Sequence, residues 1–375
     1  MNLRALLKTL MLPLALVAIC AFFAMKEPAF LGARNLTNLM IEFSIVATLA
    51  LGAFLVILPG QIDLSVGSGV GLIGGIAAVL VFRLDWSAPA AMGAAFVIAV
   101  ALWSAMGALI VKQRIPAFII TLGGLLIFKG AFWKVIDTST VPVSRGDEEN
   151  LYALLTTSYV PATLGYILAA AIVALFAWSR LGARAERRKH ALPVAPTARE
   201  WMVFLPMALA VFAVPVVCNQ FRGVPASFVV LAACAAGVQL LTQQTPFGRY
   251  LYAIGGNEEA AVVSGIAVER VVIGAYALMG VLVAVTGFMA TSYQGSSTST
   301  VGDLMELDAI AACVIGGTSL KGGRGTVWGA LLGALIMTAL LNGMGLMGIT
   351  PEVKFIARGA VLALAVWLDV KFTRD

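Results

Sequence analysis

Charge is scarce in this chain. Only 12% of its 375 residues are Asp, Glu, Lys or Arg, against 61% hydrophobic, where soluble domains carry about 25% charged residues. A surface so poor in charge cannot be solvated. The sequence therefore reads as an integral membrane protein, one transmembrane domain over 1–375, its length spent on apolar spans and short links. Histidine is nearly absent: the single one, His190, sits in the basic run RAERRKH, with no neighbour for a metal site or a histidine-based triad. Cys20, Cys218, Cys234 and Cys313 are scattered in or beside apolar runs, with no CxxC pair and no metal-ligand spacing. HExxH and GxSxG are missing. GVGLIG at 69–74 matches GxGxxG but lies inside an apolar span with no strand before it, and in TSLKGGRGT Lys321 is followed by Gly322 where a phosphate loop needs Ser or Thr. Nothing here points to an enzyme, a metal or a cofactor in this chain, so any ATP chemistry must belong to a partner.

What is present is apolar length. A spanning helix needs about 20 residues at about 1.5 Å each to cross about 30 Å of hydrocarbon. Candidate spans fall at 10–25, 39–58, 62–82, 88–111, 116–136, 161–179, 201–217, 226–242, 271–292, 307–341 (broken) and 351–368. The expectation is an all-α polytopic protein of about 10–12 transmembrane segments in lipid. The first span, flanked by Arg4 and Lys8, reads as a retained helix rather than a removed signal peptide. The net charge of +6 is informative through its distribution, not as a nucleic-acid signal. With the N-terminus inside, twelve Lys/Arg fall in cytoplasmic links, half of them in the 180–199 loop, and six fall outside. This asymmetry places the N-terminus in the cytoplasm. The links at 137–160 and 293–306 are then external, readable either as ordinary solvated loops or as a docking rim.

Two stretches repeat a glycine pattern. PGQIDLSVGSGVGLIGGIAAVLV (59–81) carries Gly67, Gly71 and Gly75, and GGTSLKGGRGTVWGALLGALIMT (316–338) carries Gly325, Gly329 and Gly333, at a constant offset of 258. Such ladders serve close helix packing. Each follows a polar, glycine-rich break, and irregular backbone in a membrane must be buried in protein or line a water-filled cavity. Asp63 in the first break would cost about 2.5–3.5 kcal/mol facing lipid. Paired breaks in two halves point to a transport route built from re-entrant or broken segments. Polar residues in or near them, Asp63, Ser65, Thr121, Asp308, Thr318 and Ser319, are the substrate-pathway candidates. For each, a helix-cap or interhelical hydrogen-bond role competes with direct contact.

The stretch 246–270, PFGRYLYAIGGNEEAAVVSGIAVER, is a long charged link between apolar runs. Asn257 is a good N-cap, Glu258 and Glu259 put negative charge in a first turn, Ala260 and Ala261 favour helix, and Gly265 can close it in a left-handed cap. A helix of about two turns is predicted there. It is either a well-capped surface linker or a docking element on which a soluble partner pushes.

Residues 259–265 read EAAxxxG, which resembles the cytoplasmic signature of ABC-importer permeases. The wider run GRYLYAIGGNEEAAVVSGIAVER is similar to the second class of carbohydrate-uptake ABC importers, the ribose/xylose/galactose group. So are IDLSVGS (62–68), IPAFIITLGG (115–124), FRGVPAS (221–227), ELDAIAACVIGGTSLKGGRGTVWGALLGALIM (306–337) and ARGAVLALAVWLD (357–369). The basic 180–199 loop and the length look most like the xylose-type permeases. The later I-x-L-P segment of the general importer signature is absent; Gly274-Ala275-Tyr276-Ala277-Leu278 stands there. The resemblance implies a permease dimer in the bacterial inner membrane. It also implies a cytoplasmic ATPase with two fused nucleotide-binding domains that carries ATP and magnesium, and a periplasmic sugar-binding protein. It makes 257–265 the coupling helix and a monosaccharide, a pentose such as xylose, the expected cargo. Two alternatives stand beside it: an ABC permease for branched-chain amino acids or nucleosides, and an ion-coupled secondary transporter, which also uses repeats and broken helices.

Overall fold

The computed structural model describes residues 3–146, 149–191 and 197–373. Helices dominate: α1 (Leu3–Lys26), α2 (Ala33–Ile57), α3 (Val66–Phe82), α4 (Ala88–Gln113), α5 (Ala117–Ile136), α6 (Leu151–Thr157), α7 (Ala162–Lys189), α8 (Thr197–Cys218), α9 (Ala226–Gln244), α10 (Pro246–Gly256), α11 (Glu258–Val263), α12 (Val268–Gln294), α13 (Met305–Ile315), α14 (Val327–Leu346) and α15 (Pro351–Thr373). Four strands of two residues each join them: β1 (Val141–Pro142), β2 (Tyr159–Val160), β3 (Val224–Pro225) and β4 (Ser296–Ser297).

Among the described residues seven helices, α2, α4, α5, α7, α9, α12 and α14, are long and apolar enough to cross a membrane. That is fewer than the 10–12 segments expected from the sequence, and local breaks account for part of the difference. Backbone breaks shorten the apolar runs: α3 keeps only 17 residues because 62–65 stay outside it, and the expected broken span 307–341 separates into the 11-residue α13 and the 20-residue α14. The described parts of α1 and α8, Leu12–Lys26 and Phe204–Cys218, are apolar as well. The side chains of Arg4 and Lys8 lie outside the described residues.

A helix apolar on every side belongs inside, and α2 is buried along almost its whole second half, from Thr48 to Ile57. It sits with α3, α4 and α12 at the centre of one continuous core that takes in Leu49, Phe54, Val70, Ile73, Trp103 and Met279. Small residues set the distances. A Cβ on Gly280 of α12 would come within 2.8 Å of the Ala99 carbonyl of α4, and one on Gly107 of α4 within 2.7 Å of Tyr276 Cβ of α12. These two helices therefore run antiparallel in close backbone contact, which only residues without side chains permit in lipid.

One end of the bundle is tied by the strands. β1 pairs antiparallel with β4, Val141 opposite Ser297, and β2 with β3, Tyr159 opposite Pro225. The link expected to be a loop at 137–160 is thus joined to the link at 293–306, and it contains α6. Asn150 caps α6 by accepting from Ala153 N (3.0 Å), Tyr152 donates to the Gly74 carbonyl (2.8 Å), and Thr156 bonds Ser292 (2.8 Å). Asp147 and Glu148 of this link lie outside the described residues. Helix α12, 27 residues long and so roughly 40 Å, leads from this strand rim to the opposite end. There α10, α11, the α4–α5 turn with Lys112 and Arg114, and the basic end of α7 gather.

Candidate functional site

The 246–270 stretch folds as two short helices. Thr245 and Pro246 start the first, since Thr245 Oγ1 accepts from Gly248 N (3.3 Å) and proline fits the first helical position. Helix α10 lays Gly248, Leu251 and Ile254 inward and leaves Arg249 and Tyr250 outside. Asn257 is extended and its Oδ1 accepts from Ala260 N at 2.9 Å, opening α11 with Glu258 and Glu259 in the first turn. Ala261 packs inward, while Val262 and Val263 face out, Val263 at 89% exposure. Gly265, at φ +80°, ends the helix in the left-handed region, and its N–H donates to the Val262 carbonyl (2.9 Å). Each of these residues sits where the caps in the sequence put it. Helix α10 goes beyond the two-turn helix the sequence predicts; the Thr-Pro start and the Leu251/Ile254 spacing are its signals.

Helix α10 ends against both glycine-rich breaks. A Cβ on Gly255 would strike the Leu58 carbonyl on one side and Gly323 N on the other. The Gly323 N–H itself donates to the Leu58 carbonyl at 2.9 Å, and the Tyr252 hydroxyl donates to the Gly325 carbonyl at 3.0 Å. Burial raises the Tyr252 hydroxyl above its ordinary value, with Gln243 pulling the other way, so it keeps its proton at neutral pH. The break after α2, the break before α14 and the end of α10 therefore form one backbone junction, with a cavity of about 210 Å³ between Gly256, Ser319, Lys321 and Arg324.

The pathway candidates fall into three places. Asp63, Ser65 and Thr121 come together where α3 begins. Asp63 is buried; its Oδ1 accepts from Ser65 N (2.8 Å) and Ser65 Oγ (2.6 Å), and its Oδ2 from Trp103 Nε1 (2.7 Å). Thr121 Oγ1 donates to the Ile62 carbonyl at 3.2 Å. Asp308, in the first turn of α13, forms an ion pair with Arg358 of α15 at 3.1 Å. Thr318 and Ser319 lie in the second break: Ser319 N donates to the Arg324 carbonyl (3.0 Å), and the buried Thr318 Oγ1 has no hydrogen-bond partner among the described residues.

Both glycine ladders lie at close contacts. Gly71 and Gly75 of α3 admit the Phe132 ring of α5, whose atoms would stand 2.7 Å from a Cβ at either position, and Gly67 abuts the Gly302 carbonyl and Glu306. Gly329 and Gly333 of α14 abut the carbonyls of Gly316 and Ala312. Gly325 precedes α14 and is no rung of a helix: at φ +151° it belongs to the turn, against Thr318 and Phe54.

Two features had no signal in the sequence. Trp103, fully buried, donates to a carboxylate 40 residues away. Lys129 of α5 pairs with Asp303 and donates to the Ser299 carbonyl (2.8 Å), holding the 293–306 link against α5.

Comparison with known proteins gives the family. Residues 35–366 match the family described as branched-chain amino acid transport system / permease component. The chain is 39% identical over 360 residues to the xylose transport system permease protein XylH of Escherichia coli strain K12, covering 95% of this chain and 90% of that one. It is 37% identical over 362 residues to XylH of Haemophilus influenzae (95% and 94%), and 32% identical over 358 residues to the ribose import permease protein RbsC of E. coli K12 (96% and 92%). No solved structure matches it. The chain belongs to this family of ABC permease components and is a membrane transport subunit rather than an enzyme, with ATP hydrolysed on a partner.

Proposed function

We propose that this chain is the permease subunit of an ABC importer that moves a monosaccharide, a pentose such as xylose, across the bacterial inner membrane. The observation that carries the reading is the junction at α10. A short, capped helix with an exposed apolar tip is joined through Gly255 and Tyr252 to both breaks of the bundle. An exposed apolar tip is a docking feature, and α11 has the size of an element that fits a groove on an ATPase with two fused nucleotide-binding domains. Movement of α11 would carry α10 with it and displace the backbone at Leu58–Gly60 and Gly322–Gly325. In this reading α10–α11 and the N-terminus face the cytoplasm, consistent with the basic residues of α7 and the α4–α5 turn at the same end. The strand rim faces the periplasm and receives a sugar-binding protein. Two copies of the chain enclose the route, and α3 and α13–α14 act as its broken segments. Asp63, Ser65 and Thr121 would shape the route by fixing the start of α3. The sugar cargo rests on the relatives' names and on the basic 180–199 loop.

The test is uptake in proteoliposomes that hold the complex of permease, ATPase and binding protein. Labelled xylose should enter only with ATP and continue after ion gradients are collapsed. Uptake driven by a proton or sodium gradient without ATP would overturn the ABC reading. The family's own description favours one second reading, an amino-acid cargo; competition by leucine but not by pentoses would establish it.

A further inference from the structure

Helices α7 and α8 form an antiparallel hairpin at the edge of the bundle, and α7 is the least buried of the long apolar helices. At the end it shares with α10–α11 the hairpin opens into a groove of about 410 Å³. Three arginines line it, Arg180, Arg184 and Arg188, four residues apart and therefore on one face of α7. Its other wall is aromatic. Phe204 of α8 stacks on Phe176 of α7 (centroids 6.0 Å, planes at 16°), Trp201 meets Phe204 edge-on at 5.5 Å, and the Arg180 guanidinium lies 4.9 Å from the Phe176 centroid. Glu186 of the same helix lies 3.0 Å from His190 and 3.9 Å from Lys189.

The groove is continuous with apolar surface. Ile172, Leu175 and Trp178 of α7 and Leu205 and Leu209 of α8 are all exposed, Trp178 at 80%. Guanidinium groups grip phosphate through paired hydrogen bonds, and tryptophan settles where headgroup meets acyl chain. A ligand that satisfies both parts carries a phosphate at one end and hydrocarbon at the other.

We propose that this groove binds the headgroup of an anionic phospholipid, with the phosphate on Arg180, Arg184 and Arg188 and the acyl chains along the exposed face of the α7–α8 hairpin. Nothing in this assignment depends on the cargo or on the ATPase. A juxtamembrane basic cluster draws anionic lipid electrostatically, and the groove adds a shaped seat to that attraction.

The test uses the purified full-length chain in a neutral detergent, titrated with phosphatidylglycerol, phosphatidylcholine or inorganic phosphate. Bound lipid is read by native mass spectrometry and stability by the unfolding midpoint. Phosphatidylglycerol should be retained and should raise the midpoint by a few degrees. R180Q/R184Q/R188Q should bind it at least about tenfold more weakly, and K112Q/R114Q, which removes charge from the same end, should bind it as the unaltered chain does. Equal binding of phosphatidylcholine overturns the proposal, because the apolar groove alone would suffice. An equal shift with inorganic phosphate overturns it in favour of a free anion. Undiminished binding by the glutamine variant overturns it outright. If that variant cannot be recovered, R180K/R184K/R188K keeps the charge and loses the paired grip; it should bind several-fold more weakly, and unchanged affinity refutes the site.

Discussion

Adding one methyl group at Gly255 should uncouple the lever from the bundle. Its Cβ would sit between the Leu58 carbonyl and Gly323 N, with Gly322 C 2.9 Å away. All three obstacles are backbone atoms, so no flexible side chain can give way. Helix α10 would have to lift from the breaks, breaking the Tyr252–Gly325 bond or spreading the 2.9 Å contact from Gly323 N to Leu58 O. Overpacking of this kind costs about 1–3 kcal/mol, which corresponds to about 5- to 150-fold in an equilibrium. Gly256, the next residue, supplies the control, because a Cβ there meets nothing within 4 Å. Gly256→Ala should leave transport intact and add slightly to helix stability, by about 0.5–1 kcal/mol. The assay measures ATP-dependent uptake and ATPase turnover of the reconstituted complex side by side. Gly255→Ala should lower uptake by about an order of magnitude while the ATPase still co-purifies with the permease, because α11 and its exposed valines are untouched. Equal uptake by the two alanine variants would refute the idea that α10 drives the breaks.

Three further predictions concern other parts of the molecule. Asp63→Ala strands three buried donors, Ser65 N, Ser65 Oγ and Trp103 Nε1, at about 1–3 kcal/mol each. The unfolding midpoint in detergent should fall clearly, and an unchanged midpoint with normal uptake would remove Asp63 from both packing and pathway. Arg358→Met leaves Asp308 buried without its ion partner, a loss of about 3–5 kcal/mol, seen as poor recovery of folded protein and restored by adding Asp308→Asn. Glu259→Lys places a positive charge in the first turn of exposed α11, costing only about 0.3–1 kcal/mol, and Gly265→Val puts a β-branched residue at φ +80°. Both should reduce transport and ATPase co-purification without lowering membrane expression; normal transport by both would dismiss the docking role.

Local chemistry was legible in the sequence to the extent that it is local. Asn257, Glu258 and Gly265 each act on backbone groups within a few residues, so their types alone fixed α11 and both of its ends. The two breaks showed themselves because Gly60 and Gly322–Gly323 carry backbone angles few other residues adopt. What failed was anything that depends on a distant partner. Trp103 looks like one more apolar residue of α4 until Asp63 is seen beside its indole nitrogen, and nothing near Asp308 in the sequence names Arg358 of α15 as its partner. Helix α6 is hidden in a stretch that reads as loop, although Asn150 can cap a helix there, because seven residues are too few for a periodic pattern to stand out. That the breaks touch each other through α10 follows from the path of the whole chain, and no window of sequence contains it.

The clasp between β1 and β4 sets a sequence in time. Val141 and Ser297 are paired across more than 150 residues, so during synthesis the first strand emerges long before its partner exists. With chain elongation at about 5–20 residues per second, β1 waits on the order of ten seconds or more with its edge unpaired. The rim closes only when α12 has crossed and delivered Ser296 and Ser297. The surface on which a binding protein would land is therefore among the last parts of the molecule to form. A chain cut short anywhere before α12 ends would present an open strand edge in place of a finished rim, a shape that quality-control proteases are able to grip.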